Sequence, residues 1–212
     1  FKEVNMNTEE QILVNLIQKY KNEGENLDSP VLVKDGMAEK FKDASKKLLF
    51  IMKEPNGKYE DMRQGPLKNG PSHTAWHRIS EWAAGILLNF PEFNELENYK
   101  DESLKSIACI NLKKYPGSSV QHEDFVSYVL HDREYLRAQI KIISPEIIIC
   151  CGNYDIVRWL LETNLDDKNL NKNYSVLKNG TIILNYYHPS SRKSKNKLYS
   201  QFQDLCKIAG IQ

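Results

Sequence analysis

The sequence predicts an α/β fold, a three-layer α/β/α sandwich around a central four-stranded parallel sheet. Short apolar, β-branched runs alternate along the chain with segments whose apolar residues recur at helical spacing. The third run, 145–152, is continuously apolar from Ile147 to Cys151, which is typical of a strand covered by helices on both faces. The chain has 212 residues and no internal repeat, so we expect a single domain over 1–212. Its segment 1–46 is predicted to be an N-terminal helix and a connection packed on the core.

The helices are predicted from capping signals and apolar spacing. Thr8 begins a capping-box pattern with Gln11, and an amphipathic helix follows that is expected to end near Gly24. Further helices are predicted at about 76–87, 123–143 and 198–208, with a short helix after Gly152. The polar stretch around Asp35 is predicted to be a surface connection. Segment 58–72 is rich in Gly, Pro and charge and is predicted to be a long loop.

The four strands are predicted at 47–53, 106–110, 145–152 and 181–184. Three of them are followed by side chains that can take part in catalysis or binding. Because the carboxyl ends of parallel strands form one edge, where open α/β sheets bind ligands, we expect Glu54, Asn111 and His188 to converge. Pro189 restricts His188 to an extended backbone, so its imidazole is held in one direction. The alternative is a histidine that caps a strand beside a solvated basic loop.

Composition excludes several classes of protein. Charged residues make up 27% of the chain and the net charge is +1, so any nucleic-acid surface must be local. There is no phosphate loop, no Gly-x-Gly-x-x-Gly, no signal-peptide pattern and no run of membrane-spanning length, which predicts a cytoplasmic protein. No cysteine pair has Cys-x-x-Cys spacing, which predicts reduced core thiols at Cys109, Cys150, Cys151 and Cys206.

One predicted helix stripe has the spacing of metal ligands. His73, His77 and Glu81 lie four residues apart in sequence, an arrangement that can hold a metal ion. No further ligand is near in sequence. A solvated helix face is therefore the favoured interpretation, and no metal is predicted.

Four segments in order resemble the uracil-DNA glycosylase superfamily, over most of the chain from Leu48 to Phe202. Segment 51–55, Ile-Met-Lys-Glu-Pro, is similar to its first motif, and 110–116, Ile-Asn-Leu-Lys-Lys-Tyr-Pro, to the asparagine-bearing segment of its thermophile-type branch. Segment 143–152 resembles the strand before its third crossover, and 187–190, Tyr-His-Pro-Ser, its second catalytic motif. The resemblance implies a glycosylase-like fold and an enzyme that hydrolyses the N-glycosidic bond of uracil, or a related modified pyrimidine, flipped out of DNA.

The resemblance also implies roles for individual residues. Glu54 would hold the attacking water and stabilise the cationic sugar, and His188 would donate to the pyrimidine O2 as a neutral imidazole. Asn111 would pair with uracil N3–H and O4, a pattern that cytosine reverses. The base pocket would be lined by Pro55, Tyr59 and Leu67. The protein would bind DNA through Ser190, Ser191, Arg192, Lys193 and Lys195, and Lys197 would add positive charge. It would act as a monomer and need no cofactor.

The sequence departs from the thermophile-type branch in three places. The cysteines lack the spacing of that branch's iron–sulfur ligands, so no cluster is predicted. Lys53 stands where the branch has Glu, which makes a Schiff-base nucleophile an alternative. Leu67, not an aromatic residue, follows Gly65-Pro66, so stacking on the base falls to Tyr59 or to no residue.

Other interpretations of the same residues stay open. Glu54 and Asn111 could be turn residues, and the basic run a solvated face. Rival functions are excision of a modified base such as one in phage DNA, binding of nucleic acid or a partner without turnover, and hydrolysis or transfer of free nucleosides. The basic run favours DNA over a free nucleoside, which needs no phosphate contacts.

Overall fold

The computed structural model describes residues 8–23, 32–55, 60–116, 122–161 and 173–211. The α-helices are α1 (Glu9–Asn22), α2 (Pro66–Asn69), α3 (Thr74–Leu87), α4 (Lys100–Lys105), α5 (His122–His131), α6 (Arg133–Ile143), α7 (Tyr154–Leu160) and α8 (Lys195–Ile208). Short 3-10 helices span Phe41–Asp43 and Phe93–Tyr99. The strands are β1 (Gly36–Met37), β2 (Leu48–Met52), β3 (Ala108–Asn111), β4 (Ile147–Cys151), β5 (Tyr174–Val176) and β6 (Ile182–Tyr186).

The strands form one mixed sheet in the order β1-β3-β2-β4-β6-β5. The four predicted strands are β2, β3, β4 and β6, which are neighbours and pair in parallel. The sheet is larger than the predicted central four-stranded parallel sheet and is mixed, because β1 and β5 add an antiparallel strand at each edge. Strands of two and three residues are too short to show a period in the sequence.

Helices cover both faces of the sheet because its central strands are apolar throughout. All five residues of β2 and of β4 are buried. On one face Phe50 and Ile149 pack in a cluster with residues of α3, α4 and α8; on the other, Ile51 and Ile148 pack with α5, α6 and α7. Fully burying one such side chain stabilises the fold by roughly 1.5–3 kcal/mol. The mixed α/β architecture and its layering agree with the sequence prediction.

Helix α1 packs beside this core. The Thr8 hydroxyl accepts a hydrogen bond from the Gln11 N–H at 3.1 Å, which confirms the predicted N-cap. The Gln11 side chain donates to Asn15 instead of reaching back to the cap. The buried Tyr20 hydroxyl donates to both carboxylate oxygens of Asp132, at 3.0 Å each, and ties α1 to the start of α6.

The predicted helix over 123–143 is two helices, α5 and α6, that meet at Asp132. Apolar spacing continues across this junction, so the period alone does not reveal the break. The predicted loop 58–72 contains α2, and the helical stretch over 93–105 was not predicted. All four cysteines are free and buried, as expected. No helix in the described ranges has the length and apolarity needed to cross a membrane.

Helix α3 is buried on most sides, so the predicted solvated stripe is wrong. Glu81 is 2% exposed, and its carboxylate lies 3.1 Å from the Lys100 ammonium. The same ammonium lies 3.3 Å from the His77 Nδ1. Lys100 therefore occupies the position between these side chains. Within the described part of the chain, no cluster of three or more His, Cys, Asp or Glu residues could hold a metal ion.

Candidate active site

The sheet has a topological switch point between β2 and β4. The chain leaves β2 toward β3 on one side, whereas β4 is followed by β6 on the other side. Open α/β sheets bind ligands at this crevice, outside the carboxyl ends of the two strands. Lys53 and Glu54 directly follow β2, and Gly152 and Asn153 directly follow β4. The crevice is therefore the candidate site.

Gly152 brings the end of β4 against His188. Its N–H donates to the Tyr186 carbonyl at 2.9 Å, and its φ is +78°, a left-handed conformation that favours glycine. A Cβ added at Gly152 would lie 3.5 Å from the His188 Cβ. This close approach places His188 beside the crevice, as the sequence predicted from the strand ends.

The His188 imidazole is held as a neutral donor. Its Nδ1 accepts a hydrogen bond from the Ser190 backbone N–H at 3.1 Å, so the proton of the neutral ring is on Nε2. The residue as a whole is exposed, yet the protein around the ring disfavours its charged form. This desolvation, with repulsion from the Lys53 ammonium, lowers the His188 pKa below 6.5. At neutral pH the ring can therefore donate a hydrogen bond through Nε2.

The Glu54 carboxylate lies in an ion pair at the end of β2. Its Oε2 is 3.1 Å from the Lys113 ammonium, and the two side chains are 12% and 6% exposed. The Lys113 ammonium also lies 5.0 Å from the centroid of the Tyr128 ring, a cation–π distance. Lys113 was not assigned a role from the sequence, although it lies two residues beyond Asn111 in the asparagine-bearing segment. Its charge compensates that of Glu54.

Asn111 ends β3 and is paired in register with Met52 of β2. The residue is 2% exposed, and its backbone N–H donates to Asp35 Oδ2 at 2.7 Å. Its side-chain amide donates to the same oxygen at 3.5 Å and to the Met62 sulfur at 2.9 Å. These contacts engage the amide nitrogen of Asn111 within the protein, and recognition of uracil by Asn111 stays a prediction.

Asp35 organises a buried polar network behind Asn111. Its carboxylate accepts from the Lys114 ammonium at 2.7 and 2.9 Å and from the Gln139 amide at 3.0 Å. Asp35 is 5% exposed, which corrects the predicted surface connection. An isolated acid in a polar stretch gives no signal of burial, so the sequence could not reveal this role.

Of the residues that were predicted to line the base pocket, the structure describes Pro55 and Leu67. Pro55 is buried directly after Glu54. Leu67 is 1% exposed and packs in the core cluster that contains Met62 and Trp76, so it does not present its side chain to a substrate. The sequence placed Leu67 in a loop, whereas it lies in the short helix α2. Tyr59 lies outside the described residues.

The predicted DNA-binding residues form an exposed segment after His188. Exposed members are Ser190, Arg192, Lys193 and Lys195, whereas Ser191 is partly buried. The Lys193 ammonium stands 3.7 Å from the centroid of the exposed Tyr187 ring. Lys195 begins α8 and does not continue the loop. The segment thus combines cations with an aromatic face, the groups that bind phosphates and stack on bases.

Asn153 was missed by sequence reasoning. It is 6% exposed, and its side-chain amide donates to the Ile51 carbonyl at 3.1 Å, across the switch point from β4 to β2. Because that nitrogen must face a carbonyl oxygen, the orientation of the amide is fixed. Its Oδ1 is buried and has no hydrogen-bond partner within the described ranges. An asparagine directly after an apolar strand and a glycine is the signal that could have indicated it.

A separate small cavity lies beneath α1. It is lined by side chains that include Glu9, Asp35, Arg63, Lys114 and Gln139, and its volume is about 20 Å³. That space has room for about one water molecule and is too small for a nucleobase. The candidate site therefore stays at the strand ends.

No model of a known protein family matches the chain. A search of curated proteins likewise finds no relative.

Proposed function

We propose that the chain is a uracil-DNA glycosylase-like hydrolase. It cleaves the N-glycosidic bond of uracil, or of a related modified pyrimidine, flipped out of DNA. The observation that carries this proposal is the His188 imidazole, which accepts from Ser190 N–H at Nδ1 and so keeps an Nε2–H donor at the strand ends. A neutral donor suits a departing pyrimidine because it stabilises the developing negative charge. In the same proposal the protein acts as a cytoplasmic monomer without a cofactor.

The charges around His188 suit a reaction with separated charges. Glycosidic cleavage leaves the sugar positive and the pyrimidine negative. The Lys53 ammonium, which already acts on His188, favours the anionic leaving group. Glu54, directly after Lys53, supplies a carboxylate for the attacking water and the cationic sugar. The crevice thus offers both signs of charge at adjacent positions of the chain.

The segment after His188 suits the DNA backbone. Arg192, Lys193 and Lys195 are exposed and can contact phosphates, which gives affinity without sequence preference. Tyr187 adds an exposed ring directly before His188, and a flipped base that displaces the Lys193 ammonium can stack on this ring. This ring offers the stacking contact that Leu67 cannot.

The test is cleavage of a labelled oligonucleotide with a single uracil, followed by alkaline scission. Glu54→Gln and His188→Gln are each expected to lower the single-turnover rate by about 10²–10⁴-fold, because each removes one transition-state interaction. Glu102→Gln serves as the matched control, since this carboxylate is 58% exposed and pairs with surface lysines. A folded wild-type protein that cleaves neither uracil nor a panel of modified pyrimidines would sink the proposal.

Binding without catalysis is the second candidate, and the Glu54–Lys113 ion pair favours it. A carboxylate whose charge is compensated at 3.1 Å is a weaker stabiliser of a cationic sugar. In this case the chain binds DNA through the exposed cations alone. Fluorescence anisotropy on a uracil-free oligonucleotide would then show salt-sensitive binding that Glu54→Gln and His188→Gln leave unchanged, without any cleavage.

A further inference from the structure

Arg78 of α3 holds the segment that follows His188. The residue is 8% exposed, and its guanidinium donates to the Pro189 carbonyl at 2.8 Å and to the Lys193 carbonyl at 2.9 Å. It also donates to the Ser191 carbonyl and lies 3.4 Å from the Ser191 hydroxyl. Three main-chain carbonyls within five residues are therefore fixed by one side chain. No role for Arg78 follows from the sequence pattern.

One of these contacts leads directly to His188. The Pro189 carbonyl and the Ser190 N–H belong to the same peptide group. Arg78 donates to the oxygen of this peptide at 2.8 Å, and the N–H of the same peptide donates to the His188 Nδ1 at 3.1 Å. Because a peptide group is planar, fixing its oxygen also fixes the direction of its N–H.

We propose that Arg78 is a positioning residue that sets the tautomer and orientation of His188 through the Pro189–Ser190 peptide. Its importance for catalysis rests on the proposed function; its effect on the imidazole does not. A cation at the carbonyl polarises the peptide and strengthens its N–H as a donor, since hydrogen bonds in a chain reinforce one another. The lone pair of Nδ1 is thereby engaged, and the proton stays on Nε2.

The guanidinium suits this task better than an ammonium would. Its planar fork presents several N–H donors in fixed directions, so the Pro189, Ser191 and Lys193 carbonyls can be bound together. A lysine ammonium has three donors on a flexible stem and no planar fork, so it cannot fix the three carbonyls relative to each other. Arg78→Lys is therefore expected to restore part of the effect that Arg78→Met abolishes.

The test uses the free protein labelled with ¹⁵N in histidine, with the His188 signals assigned from His188→Gln. In wild type we expect one neutral tautomer, with the proton on Nε2. In Arg78→Met we expect a measurable share of the Nδ1–H tautomer and exchange of the Ser190 amide with solvent that is at least about tenfold faster. Arg78→Lys should lie between the two.

Arg137→Met is the matched control. The Arg137 Nε also donates to a main-chain carbonyl, that of Leu160 at 2.6 Å, but on the other face of the sheet. This variant should leave the His188 tautomer and the Ser190 exchange rate unchanged. Urea unfolding of each variant shows that the comparison is made on folded protein. A folded Arg78→Met with wild-type His188 signals overturns the proposal, as does an equal change in Arg137→Met.

Cleavage kinetics separate this inference from the proposed function. If wild type cleaves uracil, Arg78→Met should lower kcat about tenfold or more and raise KM by a smaller factor, because the lost contact acts in the transition state. If wild type cleaves nothing, the proposed function fails while the NMR result on Arg78 stands by itself. An unchanged kcat in a cleaving, folded Arg78→Met contradicts the positioning role in catalysis.

Discussion

Replacing Asp35 by Asn should destabilise the fold strongly. The carboxylate accepts from Lys114, Gln139 and Asn111, and the Asp35 and Lys114 side chains are only 2% and 5% exposed. Asparagine keeps the shape but turns an NH₂ group toward donors and leaves the Lys114 ammonium buried without its counter-ion. Such a buried charge cannot be hydrated without opening the fold.

The magnitude follows from the burial of the pair. Breaking a buried ion pair by removing one partner costs about 3–5 kcal/mol. With an m-value of about 2 kcal/mol/M, the urea midpoint of Asp35→Asn should fall by about 1.5–2.5 M. Lys114→Met combined with Asp35→Asn should cost less than the sum of the single changes, because no uncompensated charge is then left.

Equilibrium urea unfolding, followed by circular dichroism, measures this cost. Glu102→Gln is the matched control: it removes a carboxylate paired with two lysines at the surface and should leave the midpoint unchanged within error. An Asp35→Asn midpoint within error of wild type would refute the reasoning, because it would mean that Lys114 reaches water or another acceptor at little cost.

Two further changes bear on His188. Lys53→Met should raise the His188 pKa toward 6.5, measured by NMR titration, because one of the two causes of its lowering is removed; Lys195→Met serves as the control. Because the pKa of His188 is lower in the folded state, His188 contributes fully to the free energy of unfolding at a pH above its unfolded-state pKa of 6.5. This contribution is lost as the pH falls toward the folded-state pKa. Lys53→Met should therefore shrink that loss. Gly152→Ala should cost about 1–3 kcal/mol in urea unfolding, because alanine is strained at φ +78°. Gly180→Ala, at φ +90° in open space, should cost a similar amount but leave the His188 signals in place, whereas equal shifts in both would contradict the contact between Gly152 and His188.

The sequence predicts the centre of the fold well and its margins poorly. Strands β2, β3, β4 and β6 are short apolar runs, and such runs predict strands that are buried on both faces. Strands β1 and β5 are too short for a period and gain their order from pairing with β3 and β6. At the junction of α5 and α6, Asp132 accepts a hydrogen bond from the Tyr20 hydroxyl, a tertiary contact that no local pattern contains.

The residues in and around the candidate site also differ in how far the sequence predicts their positions. The position of His188 could be predicted because a strand, a proline and the rule for strand ends together fix its place. Arg78, Lys113 and Asp35 could not, because each acts on residues that are far away in sequence: Arg78 reaches Pro189, for example, across 111 positions. Leu67 shows the opposite error, since proximity to a Gly-Pro motif suggested a pocket where the fold needed a core residue.

The Asp35 network and the strand ends beside His188 differ in how completely their polar groups are satisfied. The Asp35 carboxylate accepts five hydrogen bonds, more than the roughly four lone-pair sites that a carboxylate offers, so it has no capacity left for a ligand. Among the described residues, no hydrogen bond is formed by the His188 Nε2 or the Asn153 Oδ1. A saturated network rigidifies a core, whereas an aimed donor with spare capacity lowers the energy of a ligand that completes it. The strand ends beside Gly152, rather than the larger network behind Asn111, are therefore where chemistry is expected.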